Sequence, residues 1–157
     1  MKNFGVGGRF VAGLGMVAAL AGCGDDPFQV IDEVTFASSL NIDLSAMQLL
    51  ASGLYVVDVV VGTGEEVVLG TTVVVTYTGW LTDGTQFDSG TLSFPTFPFL
   101  TGDNRVVLGF EEGVLGMLAG GTRRIIIPPH LGYGSQARGS IPPGSIMIFE
   151  ITVDSVS

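Results

Sequence analysis

Thr72-Val73-Val74-Val75-Thr76-Tyr77-Thr78-Gly79-Trp80-Leu81 is dominated by β-branched and aromatic residues, which fit a pleated, half-buried surface. Leu54 to Val61, Arg123 to Pro128 and Ser145 to Val153 share that composition. Gly62-Thr63-Gly64 and Thr82-Asp83-Gly84 are turn signals, the second of hairpin type because Asp-Gly accepts positive φ. Within this β-rich region only Gly109 to Leu118 reads as helical. Phe110, Val114, Leu115 and Leu118 share one side, Glu111 and Glu112 stand in the first turn where the helix dipole favours anions, and Gly120-Gly121 is expected to stop it. The pattern predicts an α+β fold, with an antiparallel β-sheet wrapped around one short α-helix over residues 53–157.

Upstream of that domain the reading changes. Lys2 and Arg9 precede an apolar run from Phe10 to Leu20 that closes on Ala21-Gly22-Cys23. The run falls short of the roughly 20 residues a spanning helix needs and predicts a signal peptide over residues 1–22. Leu20-Ala21-Gly22-Cys23 resembles a bacterial lipobox, which implies cleavage before Cys23 and lipidation of its thiol, the only one in the chain. A single acyl chain holds a membrane marginally, whereas the several carried by such lipoproteins make a durable anchor. Residues 23–52 are expected to be the lipidated cysteine and a loosely packed spacer. Within it, Asp43 to Leu50 predicts a short helix with Asp43 as N-cap and Leu44, Met47 and Leu50 on one face. The expected location is the bacterial cell envelope outside the cytoplasm, with inner or outer membrane left open.

Losing Lys2 and Arg9 leaves four arginines against fifteen carboxylates, a net charge of −11. With no basic patch, nucleic acid and electrostatic adsorption to anionic lipid are disfavoured as partners. His130 is the only histidine, and no second metal ligand stands at a recognisable spacing from it, so neither a metal nor another cofactor is expected.

Four stretches carry a family resemblance: Val75-Thr76-Tyr77-Thr78-Gly79, Phe87-Asp88-Ser89, Gly109-Phe110-Glu111-Glu112-Gly113 and Pro128-Pro129-His130-Leu131-Gly132-Tyr133-Gly134. Their order and spacing, from about Leu54 to Val153, resemble the FKBP family of peptidyl-prolyl isomerases. The resemblance implies a rotamase acting on X-Pro bonds, with proline-containing polypeptides as substrates and macrolides as inhibitors. It implies three catalytic residues. Asp88 is the carboxylate near the substrate's carbonyl carbon, Tyr133 the hydroxyl that donates to the bound carbonyl, and Phe110 the pocket floor in place of the usual tryptophan. Substrate-binding positions are Tyr77, Phe87, Phe97, Val106, Val107, Ile141 and Phe149, with Phe99 a buried neighbour and Val107 offering its backbone N–H. The segment between Asp88 and Phe97 reads as a loop of the family's common length. From the residues alone, Tyr77 and Phe110 also suit plain core packing, and Asp88 also suits a loop cap.

Such a reaction makes and breaks no bond, so it needs no nucleophile, metal or general base. It needs a site that favours a twisted amide over both planar states. A low-turnover, membrane-tethered chaperone module that keeps the pocket for binding is the alternative, motivated by Phe110. A structural envelope lipoprotein is a third reading, and monomer is the default state.

Overall fold

The computed structural model describes residues 30–96 and 106–157. Its strands are β1 (Gln48–Leu49), β2 (Tyr55–Val60), β3 (Thr72–Leu81), β4 (Gln86–Pro95), β5 (Thr122–Ile127) and β6 (Met147–Val156), with one α-helix, α1 (Leu108–Val114). All pairings are antiparallel, in the order β1-β2-β5-β6-β3-β4. This is the expected α+β arrangement. The expected signal peptide, Cys23, Phe97 and Phe99 lie outside the described residues.

The helix packs on the face lined by Val73, Val75, Ile125, Ile127, Met147, Ile151 and Val153, all fully or almost fully buried. Gly109 and Gly113 set how closely it sits. A Cβ on Gly109 would come within 2.6 Å of the Ile127 side chain, and one on Gly113 within 2.8 Å of Ile125. The carbonyl end of the helix is held by Arg123, whose Nη1 donates to Gly113 O and Leu115 O at 3.0 Å each. The same side chain pairs with Asp58 through Nε at 2.6 Å. A cation on free C-terminal carbonyls is favoured by both hydrogen bonding and the helix dipole.

Three local expectations are corrected. The helix ends at Val114 rather than Leu118, because Leu115 turns extended and Gly116 takes a φ of 75°. Leu118 instead bridges to Glu66 as β structure. The segment after Asp88 is a strand, not a loop. Its Ser and Gly residues carry little β-propensity, yet β4 pairs with β3 from Thr72↔Pro95 to Trp80↔Gln86. Tertiary pairing overrides composition there. Asp43 to Leu50 makes a single 3-10 turn over Leu44–Ala46, capped by Asp43 through Ser45 N at 3.0 Å, before the chain enters β1.

The largest difference concerns the segment read as a spacer. From Val30 onward it is a second layer on the sheet's other face. Ile31 and Leu40 are buried with Tyr55, Ile126, Ile146 and Ile148, and Val34, Phe36, Ile42, Leu44, Met47 and Trp80 pack around them. Polar contacts pin the layer. Tyr55 donates its hydroxyl to Asp32, Arg124 Nη1 donates to Leu40 O at 3.0 Å, and Ala37 N donates to Thr82 O at 2.8 Å. Ile125, Ile126 and Ile127 are therefore all 0% exposed, which an alternating one-sided strand would not allow. Leu40→Ala should lower unfolding stability by about 2–5 kcal/mol. Urea denaturation checks this; an unchanged midpoint would mean that the layer is only loosely attached.

Candidate functional site

The helix and three strands converge on a group of aromatic rings. Phe110, in the first turn of α1, is 3% exposed and lies edge-on to Phe149 of β6 at 5.1 Å and to Tyr77 of β3 at 5.6 Å between ring centroids. Phe87 of β4 meets Phe149 at 5.4 Å with the rings nearly perpendicular. Such edge-to-face pairs contribute about 0.5–1.5 kcal/mol each beyond the area they bury. Beneath them Phe94 of β4 supports Phe110 at 5.9 Å and is 2% exposed. Phe94 was not among the expected site residues. Its alternation with Leu92 along a strand was the available signal, and it was hidden because the segment read as a loop.

Strand register explains the convergence. Gly79 stands opposite Phe149 on one side and Asp88 on the other. A Cβ there would lie 2.7 Å from both the Phe149 and the Phe87 rings, so only glycine lets the two rings close over the strand. Next to it the β3–β4 ladder shifts register, and Phe87 falls between Gln86 (opposite Trp80) and Asp88 (opposite Gly79). Bulges re-aim side chains. This one lets consecutive residues serve one site, Phe87 packing on the core while Asp88 reaches Tyr77.

The polar groups sit at the rim. Tyr77 donates its hydroxyl to Asp88 Oδ2 at 2.8 Å, while Asp88 Oδ1 accepts from Ser89 N at 2.9 Å. Burial first, then the hydrogen bond to Asp88, push the Tyr77 hydroxyl up to about 12, with smaller contributions from the charges of Asp88 and Tyr133. Tyr77 thus remains a protonated donor through neutral and moderately alkaline pH.

Tyr133 follows the 3-10 turn Pro129–Leu131, is half-buried against the core and lies near enough to Tyr77 to act on it electrostatically. Ile141 is 6% exposed, in the same core. Val106 and Val107 pack at the start of α1, where the Val107 carbonyl accepts from Phe110 N and Glu111 N. Among the described residues, then, the expected set comes together: Tyr77, Phe87, Asp88, Val106, Val107, Phe110, Tyr133, Ile141 and Phe149. Phe110 is at once the centre of the ring cluster and a core residue. Arrays of rings with a carboxylate and hydroxyls at one edge can hold an apolar ring and orient a carbonyl.

Two residues outside that set brace its surroundings. His130 Nε2 lies 2.8 Å from Ser52 O, tying the proline-rich turn to the end of the N-terminal layer. Glu112 accepts from Ser52 Oγ at 2.8 Å, which anchors α1 to the end of the N-terminal layer.

Comparison with known proteins bears on the family and the fold. A family model described as FKBP-type peptidyl-prolyl cis-trans isomerase matches residues 63–154. The chain is 42% identical over 100 residues to the FK506-binding protein of Neisseria meningitidis serogroup B, covering 63% of this chain and 92% of that one. It is 48% identical over 77 residues to peptidyl-prolyl cis-trans isomerase FKBP9 of Rattus norvegicus, which is 49% of this chain and 14% of that relative's length. Its fold is similar to the crystal structure of FkpA from Escherichia coli, with a TM-score of 0.64, 30% identity, and coverage of 76% of this chain and 55% of that one.

Gly79→Ala should force Phe87 and Phe149 apart, costing about 1–3 kcal/mol of stability and weakening peptide binding at the same time. Denaturant titration and peptide binding by NMR check this together; a variant with both properties unchanged would mean that the rings do not need the close approach.

Proposed function

Because the chain belongs to the FKBP-type peptidyl-prolyl cis-trans isomerase family, we propose that it catalyses rotation about X-Pro bonds of exported proteins while tethered to a membrane outside the cytoplasm. The observation that carries the enzymatic part is the edge-to-face set Tyr77, Phe87, Phe110 and Phe149, with the Tyr77–Asp88 hydrogen bond at its rim. Amide conjugation sets a barrier of about 18–20 kcal/mol, and unaided rotation at proline takes tens to hundreds of seconds. Every tenfold acceleration needs about 1.4 kcal/mol more stabilisation of the twisted amide than of the planar ones.

The pocket's own residues can supply that difference. An apolar ring cluster disfavours the charge-separated resonance form that keeps the amide planar. The Tyr133 hydroxyl can donate to a carbonyl as it turns out of plane, and Asp88, held by Tyr77 and Ser89, presents fixed negative charge near the carbonyl carbon. Asp88→Asn and Tyr133→Phe should each lower kcat/KM several-fold while leaving the denaturation midpoint almost unchanged. A protease-free isomerisation assay reads the first quantity and urea unfolding the second. An unchanged rate in both variants would contradict these roles.

The reading of a low-turnover binding module rests on one observation: the nearly buried Phe110 ring is smaller than the indole that the family usually places there. Phe110→Trp separates the two: a rise in rate supports the isomerase, and a change in peptide affinity alone supports the binding module.

The tether is supported by Leu20-Ala21-Gly22-Cys23 behind a short apolar run. Gly24 after the cysteine gives no inner-membrane retention signal under the common sorting rule. In a bacterial host, Cys23→Ser should move the protein from the membrane fraction to the soluble one and abolish labelling by a fatty-acid analogue. Labelling that persists in this variant would remove the lipid anchor from the account.

A further inference from the structure

Three arginines lie among the described residues, and two of them are committed, Arg123 to Asp58 and Arg124 to Glu150. Arg138 has no carboxylate within salt-bridge distance among the described residues. Its guanidinium carbon stands 5.5 Å from the centroid of the Tyr133 ring. The residue is exposed, and its backbone is pinned. Arg138 N donates to Ile141 O at 3.0 Å and Ile141 N returns the bond to Arg138 O at 2.9 Å, closing the segment between Tyr133 and Ile141 beside the pocket.

We propose that Arg138 is a specificity-determining residue of this pocket, favouring proline-containing peptides with a carboxylate side chain close to the proline. The inference rests on the isomerase reading and goes beyond it by naming a substrate class.

Three physical points lead there. A guanidinium held over an aromatic ring by cation–π attraction keeps N–H groups free for a carboxylate, and less rotamer freedom remains to be lost when the pair forms. Second, the chain is strongly acidic, with a net charge of −9. At physiological ionic strength that field decays within about 8 Å, so a bound peptide responds mainly to the charges at the rim. Among the described residues, Asp88 and Arg138 are such charges. Third, Asp88 is engaged on the Tyr77 side of the rim, its two oxygens accepting from Tyr77 and Ser89. Among the described residues, the charged side chain standing over the Tyr133 ring, whose hydroxyl is expected to meet the substrate carbonyl, is Arg138, and its charge is positive.

The test uses the full chain with Cys23→Ser and pairs of peptides identical except for Glu or Gln at each position flanking the proline. The quantity read is the Glu:Gln ratio of kcat/KM, in which any general effect of a substitution on Tyr133 cancels. In the parent protein the ratio should reach about two- to fivefold at low ionic strength for at least one flanking position, the range of an exposed ion pair, and fall with added salt. Arg138→Gln should bring it to one, and Arg138→Lys, which keeps the charge, should restore most of it. A ratio of one in the parent protein, or the same ratio in Arg138→Gln, overturns the proposal. A neutral Leu-Pro peptide run alongside keeps the two readings distinguishable. If it is accelerated, only the role of Arg138 is at stake; if it is not, the isomerase reading fails and the selectivity falls with it.

Discussion

The close seat of α1 on β5, through Gly109 and Gly113 against Ile127 and Ile125, is the constraint from which the rest of the site follows. It brings Phe110 into the plane of the sheet's aromatic residues, where Phe149, Tyr77 and Phe94 surround it. A helix of seven residues has little stability of its own, so its position depends on tertiary packing and on Arg123 at its carbonyl end. Asp58 completes that clamp from β2. The same contacts that hold the helix therefore hold the floor of the pocket, and stability and recognition are coupled through one ring.

Much of this was legible from residue type. Thr72 to Leu81 predicted β3 without error in its bounds, and the four motif stretches identified the rings and polar tips that the structure gathers. What failed has particular causes. Gln86 to Pro95 is poor in β-branched residues, and its strand exists because β3 offers a long partner edge. Gly116, rather than Gly120-Gly121, stops α1, because two nearby glycine signals competed and periodicity could not rank them. Residues from Val30 to Leu50 show no sustained period, since they cover the sheet in single turns joined by extended pieces. The signal for that layer lay elsewhere, in Ile125-Ile126-Ile127 and Ile146-Met147-Ile148-Phe149. Unbroken apolar runs mark strands buried on both faces.

The division of labour across the sheet bears on function. One face carries the helix and the ring cluster, and the other carries the N-terminal layer, tied to the proline-rich turn by His130 and to α1 by Ser52 and Glu112. Part of the stretch between Cys23 and the isomerase domain is thus built into the domain rather than spanning a gap. In the proposed tethered state, an acidic surface resists adsorption to anionic lipid. Polypeptides emerging nearby would meet the pocket first through its rim, where Tyr77, Asp88, Tyr133 and Arg138 supply the available charge and hydrogen bonding.

In the proposed mechanism the ring cluster around Phe110 binds proline and lowers the barrier to its rotation. Its most direct test is NMR exchange between the cis and trans forms of a Leu-Pro peptide, with the non-lipidated Cys23→Ser chain, in the absence and presence of a macrolide that binds isomerases of this family. The account predicts faster exchange, abolished by the macrolide, with shift changes in the peptide's proline ring. Exchange at the uncatalysed rate, or acceleration that the macrolide leaves untouched, would contradict it.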